Sequence, residues 1–178
     1  MISLGLMRET ILVAVDNTDQ RLTEYLPPGD STLYGAGTAD RYLAFVLDNV
    51  MPFVNANYRT LTNRADTGVL GSSFGGVASL YFGFATNRFG RIGPMSTSFW
   101  AIPNFYGRYV VTGDTSGLRI YTDMGTGEGD VDEFDSLWQA YDQFLRDGHV
   151  PNDTLQIEVG CGHAHNEAAW AQRVYICR

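Results

Sequence analysis

Apolar residues recur along this chain with two alternating periods. Short runs rich in Val, Ile and Leu lie at residues 11–15, 68–71, 118–122 and 155–159, with Arg91–Met95 as a weaker fifth run. Such near-continuous apolar runs read as strands buried on both faces of a parallel sheet. Between them the period shifts to that of a helix. Residues 40–57 place Leu43, Val46, Leu47, Val50, Phe53 and Val54 at steps of three and four, which makes one apolar face. Residues 74–86 are small and apolar nearly all round, as a helix buried against a sheet is, and residues 133–146 and 166–174 are amphipathic. Strands alternating with helices through the whole chain predict an α/β fold with a mostly parallel sheet of about five strands. In such folds the chemistry gathers at the carboxyl ends of the strands.

Composition narrows this picture. The 178 residues fit a single domain spanning 1–178, and 44% hydrophobic with 18% charged residues describes a folded chain. A formal charge of −8 and the lack of any basic cluster argue against nucleic acid as a partner. No apolar run approaches the roughly 20 residues that span a bilayer, and the start MISLGLMRETILVAVD lacks the parts of a signal peptide. The two cysteines, Cys161 and Cys177, do not make a disulfide framework. The expectation is a cytoplasmic chain with no membrane partner.

Candidate chemistry starts at VLGSSFGG, residues 69–76. Gly71-Ser72-Ser73-Phe74-Gly75 matches G-x-S-x-G, in which a serine sits on a strained turn from strand to helix and its neighbours must be small. An apolar run ends at Gly71 and a helical pattern begins at Phe74, so the context fits. Ser73 is then the nucleophile, and Ser72 takes that place only in a different register. An activated serine needs a base, and the base needs an orienting group. His149 lies in a polar helix end and reads as solvated. His163 and His165 follow the 155–159 run, and both fit the base by position. His165, just ahead of the last helix, fits better. Cys161, His163 and His165 also form C-x-H-x-H, but without an evident fourth ligand no metal is expected. The orienting acid is sought in IYTDMGTGEGDVDEFD. Glu128 follows the strand in a glycine turn, Asp130 and Asp132 are alternatives, and Asp123 is still in the strand.

Taken together, these stretches resemble the esterase D-like branch of the α/β-hydrolases, the branch of siderophore, feruloyl and acetyl-xylan esterases. The resemblance is carried by residues 15–28, 34–61, 67–81, 89–100, 120–128 and 162–174, including TGVLGSSFGGVASLY, IYTDMGTGE and GHAHNEAAWAQRV. It implies an α/β-hydrolase fold with Ser73 as nucleophile, His165 as base and Glu128 as acid. It also implies a small-molecule ester substrate and no cofactor. An acyltransferase of the same fold, or an impaired remnant that acts as a binding module, are the other readings it leaves.

Members of that branch carry further strands ahead of the segment matching ETILVAVD, one of them with an oxyanion-hole loop, so the chain is expected to be shortened at its front. Three arrangements follow: residues 11–15 move beside the nucleophile strand, another chain fills the place, or the chain is a defective fragment. The first is favoured here, and it brings the backbone N–H of Asn17 or Thr18 to Ser73 beside the N–H of Phe74 as oxyanion donors. Phe99, Trp100 and Phe105 are expected to line part of an open pocket suited to short-chain esters. A shortened sheet exposes an apolar edge, which favours a homodimer.

Overall fold

The computed structural model describes residues 8–104, 115–129 and 131–174, with the side chains of 131 and 132 excepted. A short helix α1 (Arg21–Glu24) and a two-strand hairpin, β1 (Ser31–Thr32) with β2 (Gly35–Ala36), precede the main body. Helices α2 (Ala39–Phe45) and α3 (Met51–Asn57) are joined through a π-helical turn, Val46–Val50. Pro52 explains that turn. It has no N–H to donate to the carbonyl four residues back, so the ladder slips by one residue and Met51 N–H bonds Val46 O.

Four parallel strands form the sheet in the order β3 (Gly68–Ser72), β4 (Arg91–Met95), β5 (Arg119–Gly125) and β6 (Leu155–Gly160). Helix α4 (Phe74–Ala85) links β3 to β4, α5 (Val131–Arg146) links β5 to β6, and α6 (Glu167–Arg173) follows β6. α4 is buried along almost its whole length, as its unbroken apolar sequence requires. α5 shows the core only one face, with Leu137, Ala140 and Phe144 all buried at steps of three and four. Among the described residues no helix is long and apolar enough to cross a membrane.

One expected strand is absent. Residues 11–15 form no strand, and among the described residues β3 pairs only with β4, so the sheet has four strands and β3 is its edge. An apolar β-branched run becomes a strand only where a neighbouring ladder accepts its N–H and C=O groups. Here residues 11–14 instead lie along α2 and α3, where they line a groove with Phe45, Phe53 and Tyr58. Leu12 is 84% exposed there.

The register levels the carboxyl ends of the strands. Ser72 pairs with Met95, Met95 with Asp123, and Gly125 with Gly160. The residues that follow those ends, 73, 96, 128 and 161–165, therefore converge on one rim. Below it the core is continuous from Leu26 through Leu80, Phe82 and Ile92 to Leu155. Leu80→Ala is expected to cost about 2–5 kcal/mol in urea unfolding, through lost burial and a cavity. Leu12→Ala should change stability by less than about 0.5 kcal/mol.

Candidate active site

Ser73 sits between β3 and α4 with φ 59° and ψ −122°, a left-handed conformation that an L residue adopts only under constraint. The constraint comes from backbone bonding on both sides. Ser73 N–H donates to Met95 O at 3.0 Å, and Ser73 O accepts from Gly76 N–H at 3.0 Å and Val77 N–H at 3.3 Å. The glycines around it are not equivalent. A Cβ at Gly71 would lie 2.5 Å from Gly75 O, whereas one at Gly75 would meet nothing within 4 Å. The turn thus needs Gly71 for close passage, and Gly75 is sterically free. Phe74 N–H, at the start of α4, has no acceptor among the described residues. Ser73 Oγ lies 3.3 Å from Ser98 Oγ, and no hydrogen bond joins it to His165.

The acid expected at Glu128 is in a different environment. Its side chain is 1% exposed. Oε1 accepts from Ser96 Oγ at 2.7 Å, Gly125 N–H at 2.7 Å and Arg173 Nη2 at 2.8 Å. Oε2 lies 3.0 Å from His165 Nδ1. Burial pushes this carboxyl up, but the hydrogen bonds from His165, Ser96, Gly125 and Arg173 outweigh it and hold the pKa below the ordinary value. Glu128 is therefore ionised at neutral pH. His165 is about one-third exposed at its side chain and stands edge-on to Trp170, with ring centroids 5.0 Å apart. Its Nδ1 faces the carboxylate, which leaves Nε2 toward the rim. Gly125 makes the approach of the two loops possible, because a Cβ there would strike His163 O.

Arg173 is the residue that sequence reasoning missed. Although charged, it is only 1% exposed. Its Nε donates to Asp123 Oδ2 at 3.0 Å, and its Nη2 reaches Ser96 Oγ at 2.7 Å as well as Glu128. Its Nη1 lies 3.1 Å from His163 Nδ1. Since a guanidinium only donates, His163 Nδ1 is the acceptor, and this ring is engaged with Arg173 rather than Ser73. Burial lowers the Arg173 pKa, but bonding to Asp123 and Glu128 more than reverses that. Asp123, in β5 as expected, is fully buried and also accepts from Tyr121 Oη at 2.8 Å and Ser96 N–H at 3.0 Å. Trp170 Nε1 donates to Ser96 Oγ at 2.9 Å. One signal for this network was present in the sequence: a carboxylate inside the apolar run IYTDM has to find a buried cation.

Other expected residues fall into three groups. Phe99, expected in the pocket wall, is 4% exposed and packs in the core cluster. Its neighbour Trp100 is 56% exposed and packs edge-on against Phe74 at 5.6 Å, beside the nucleophile turn. Phe105, Asp130 and the side chain of Asp132 lie outside the described residues. The N–H of Asn17 donates to Asp16 Oδ1 at 3.0 Å and that of Thr18 to Glu24 Oε2 at 3.2 Å, so both serve their own turn ahead of α1. No hydrogen bond ties that turn to Ser73. His149, expected in solvent, is instead 7% exposed. Its ring stands edge-on to Phe144, and burial pushes its pKa down. Among the described residues no group of three or more His, Cys, Asp or Glu side chains is placed to hold a metal ion.

Comparison with known proteins agrees with this architecture. A family model described as Putative esterase matches residues 2–177. The uncharacterized protein YbbA of Bacillus subtilis (strain 168) is 26% identical over 128 residues, 68% of this chain and 50% of YbbA. The solved enterobactin esterase FES from Shigella flexneri is similar with a TM-score of 0.64 at 24% identity, over 78% of this chain and 36% of FES. A structure titled Enterobactin and Salmochelin Hydrolase IroE gives a TM-score of 0.71 at 13% identity, over 89% of this chain and 63% of IroE. This chain spans half of YbbA and about a third of FES. The common fold is that of an α/β-hydrolase.

The glycine contrast gives a direct check on the nucleophile turn. Gly71→Ala is expected to destabilise the chain by roughly 1–3 kcal/mol through overpacking against the Gly75 carbonyl. Gly75→Ala, in the first turn of a helix with open space around it, should be neutral or stabilising by up to about 1 kcal/mol. Denaturant unfolding of the two variants measures the difference.

Proposed function

The chain belongs to the Putative esterase family, and we propose that it is a serine esterase that hydrolyses carboxylic esters with small or short acyl groups. The observation that carries this reading is the buried, ionised Glu128 lying 3.0 Å from His165 Nδ1, on the rim that also carries the strained Ser73. Glu128 orients the imidazole by accepting from Nδ1–H, which makes Nε2 the basic nitrogen. Ser73 Oγ attacks the ester carbonyl while His165 Nε2 takes its proton. The N–H of Phe74, which has no acceptor among the described residues, donates to the developing oxyanion, in the role where one donor is worth roughly 2.7–4 kcal/mol. His165 then gives its proton to the leaving alcohol, and water, activated by the same ring, releases the acyl group from Ser73.

The 3.3 Å contact of Ser73 Oγ with Ser98 is compatible with this sequence of steps. Catalytic hydrogen bonds commonly tighten only once substrate is bound. The N–H groups of Asn17 and Thr18 are held by Asp16 and Glu24, so this reading uses Phe74 N–H as the oxyanion donor. Trp100, exposed and packed edge-on against the buried Phe74, gives the acyl group an aromatic wall on a rim open to solvent, which supports short acyl chains.

The test is turnover of a p-nitrophenyl ester series by the wild type, Ser73→Ala and Ser72→Ala. Wild-type kcat should fall with acyl length, and Ser73→Ala should lose at least about 10³-fold of it. Ser72→Ala should stay active. Equal activity in Ser73→Ala and the wild type contradicts the reading. Faster release with ester product formed on adding an alcohol assigns acyl transfer instead.

A further inference from the structure

Arg173, Asp123 and Ser96 take no part in the acyl-transfer steps, yet they are among the most deeply buried polar groups of the chain. Arg173 sits between two carboxylates. One is Asp123, held at 3.0 Å by Nε, and the other is Glu128, held at 2.8 Å by Nη2. Among the described residues, ionisable groups from several elements surround this guanidinium. Asp123 comes from β5, Glu128 from the loop after it, and His163 from the loop after β6, while Tyr121 of β5 donates to Asp123 and to the main-chain oxygen of Arg173. Glu158 and Cys161 line the same cleft from the end of β6, and His165 stands on the far oxygen of Glu128.

The division of labour at Glu128 is uneven. Among the described residues, Oε1 takes the Arg173, Ser96 and Gly125 donors, and Oε2 has His165 as its one partner. With both carboxylates ionised and Arg173 charged, the buried group carries one net negative charge beside the imidazole. A second carboxylate without its cation would drive one of the pair to take up a proton.

We propose that Arg173 and Asp123 are a charge-balancing pair of positioning residues that holds Glu128 as the ionised partner of His165 and sets the pH at which the Glu128–His165 couple takes up a proton. The inference rests on the Ser73–His165–Glu128 reading for its kinetic consequence, but the balance itself is a property of the buried group. The sign follows from the count of charges. Asp123→Asn removes the net negative charge, Arg173→Met doubles it, and the double variant restores it to one. More negative charge raises the pH at which the couple protonates, and less lowers it.

Two readouts test this. One is kcat/KM for p-nitrophenyl acetate against pH. The other is the carboxyl ¹³C titration of Asp and Glu side chains, which needs no activity. In Asp123→Asn the acidic limb of kcat/KM should move down by about half a pH unit or more. In Arg173→Met it should move up by a similar amount, with proton uptake by a buried carboxyl at higher pH than in the wild type. In Asp123→Asn/Arg173→Met the limb should return to the wild-type position. A role limited to packing changes melting temperature in all three variants without this alternation of sign. If Arg173→Met fails to fold, Asp123→Asn and the double variant still carry the comparison.

The inference is overturned if the Asp123→Asn limb stays at the wild-type pH, or if the limbs and titrations of all the variants shift the same way. Labelling of wild-type Ser73 by a fluorophosphonate separates the two claims. Carboxyl titrations that alternate as stated in a chain that does not label leave the charge balance standing and remove the triad reading.

Discussion

A guanidinium that is 1% exposed, held between two carboxylates, is the interaction on which the rest of the site depends. Isolated charges of this kind are costly to bury, and breaking such a group by removing one partner costs about 3–5 kcal/mol. Here each member has its partners: Arg173 donates to Asp123, Glu128, Ser96 and His163. The group ties together the ends of β4 and β5, the loop after β5, the loop after β6 and α6. It thereby fixes the places of Glu128 and His165 relative to the sheet. In this respect the network is the counterpart of the backbone bonds that hold Ser73 in its left-handed turn.

Close backbone approach is the second constraint. Gly71 lets β3 and α4 meet at the Ser73 turn, and Gly125 lets the loop bearing His163 and His165 cross the end of β5. The hydrogen bonds Gly127 N–H to His163 O and Thr126 N–H to Gly160 O then clasp the two loops at 3.0 and 2.9 Å. The strain at Ser73 and the charges at Arg173 are thus both supported by a parallel sheet whose register brings four strand ends level. The sheet lacks any partner for the outer edge of β3 among the described residues, so the Ser73 turn leans on β4, on α4 and on Ser98, whose N–H donates to Ser73 O.

Much of this was readable along the chain because it is local. The strand-to-helix switch at VLGSSFGG, the glycine turn around Glu128 and the placing of His165 ahead of a helix each occupy a few consecutive residues. So did the helices, whose bounds came out close to their apolar periods. Contacts distant in sequence were not readable. Arg173 lies in the last turn of α6, where a basic residue ordinarily faces solvent and complements the helix dipole. Only its pairing with Asp123, fifty residues earlier, puts it inside. Residues 11–15 mislead for the opposite reason: their composition suits a strand, but no ladder receives them. His149 reads as polar from its neighbours, whereas its burial comes from packing on Phe144.

The central claim is that Ser73, His165 and Glu128 act as one unit on an ester carbonyl. The measurement that addresses it most directly is a crystal structure of the chain after reaction with a p-nitrophenyl phosphonate ester. The account predicts phosphorus bonded to Ser73 Oγ, a phosphonyl oxygen within hydrogen-bond reach of Phe74 N–H, and His165 still on Glu128 with Nε2 turned to the adduct. An unmodified Ser73, or an adduct with His165 turned away from Glu128, would contradict it.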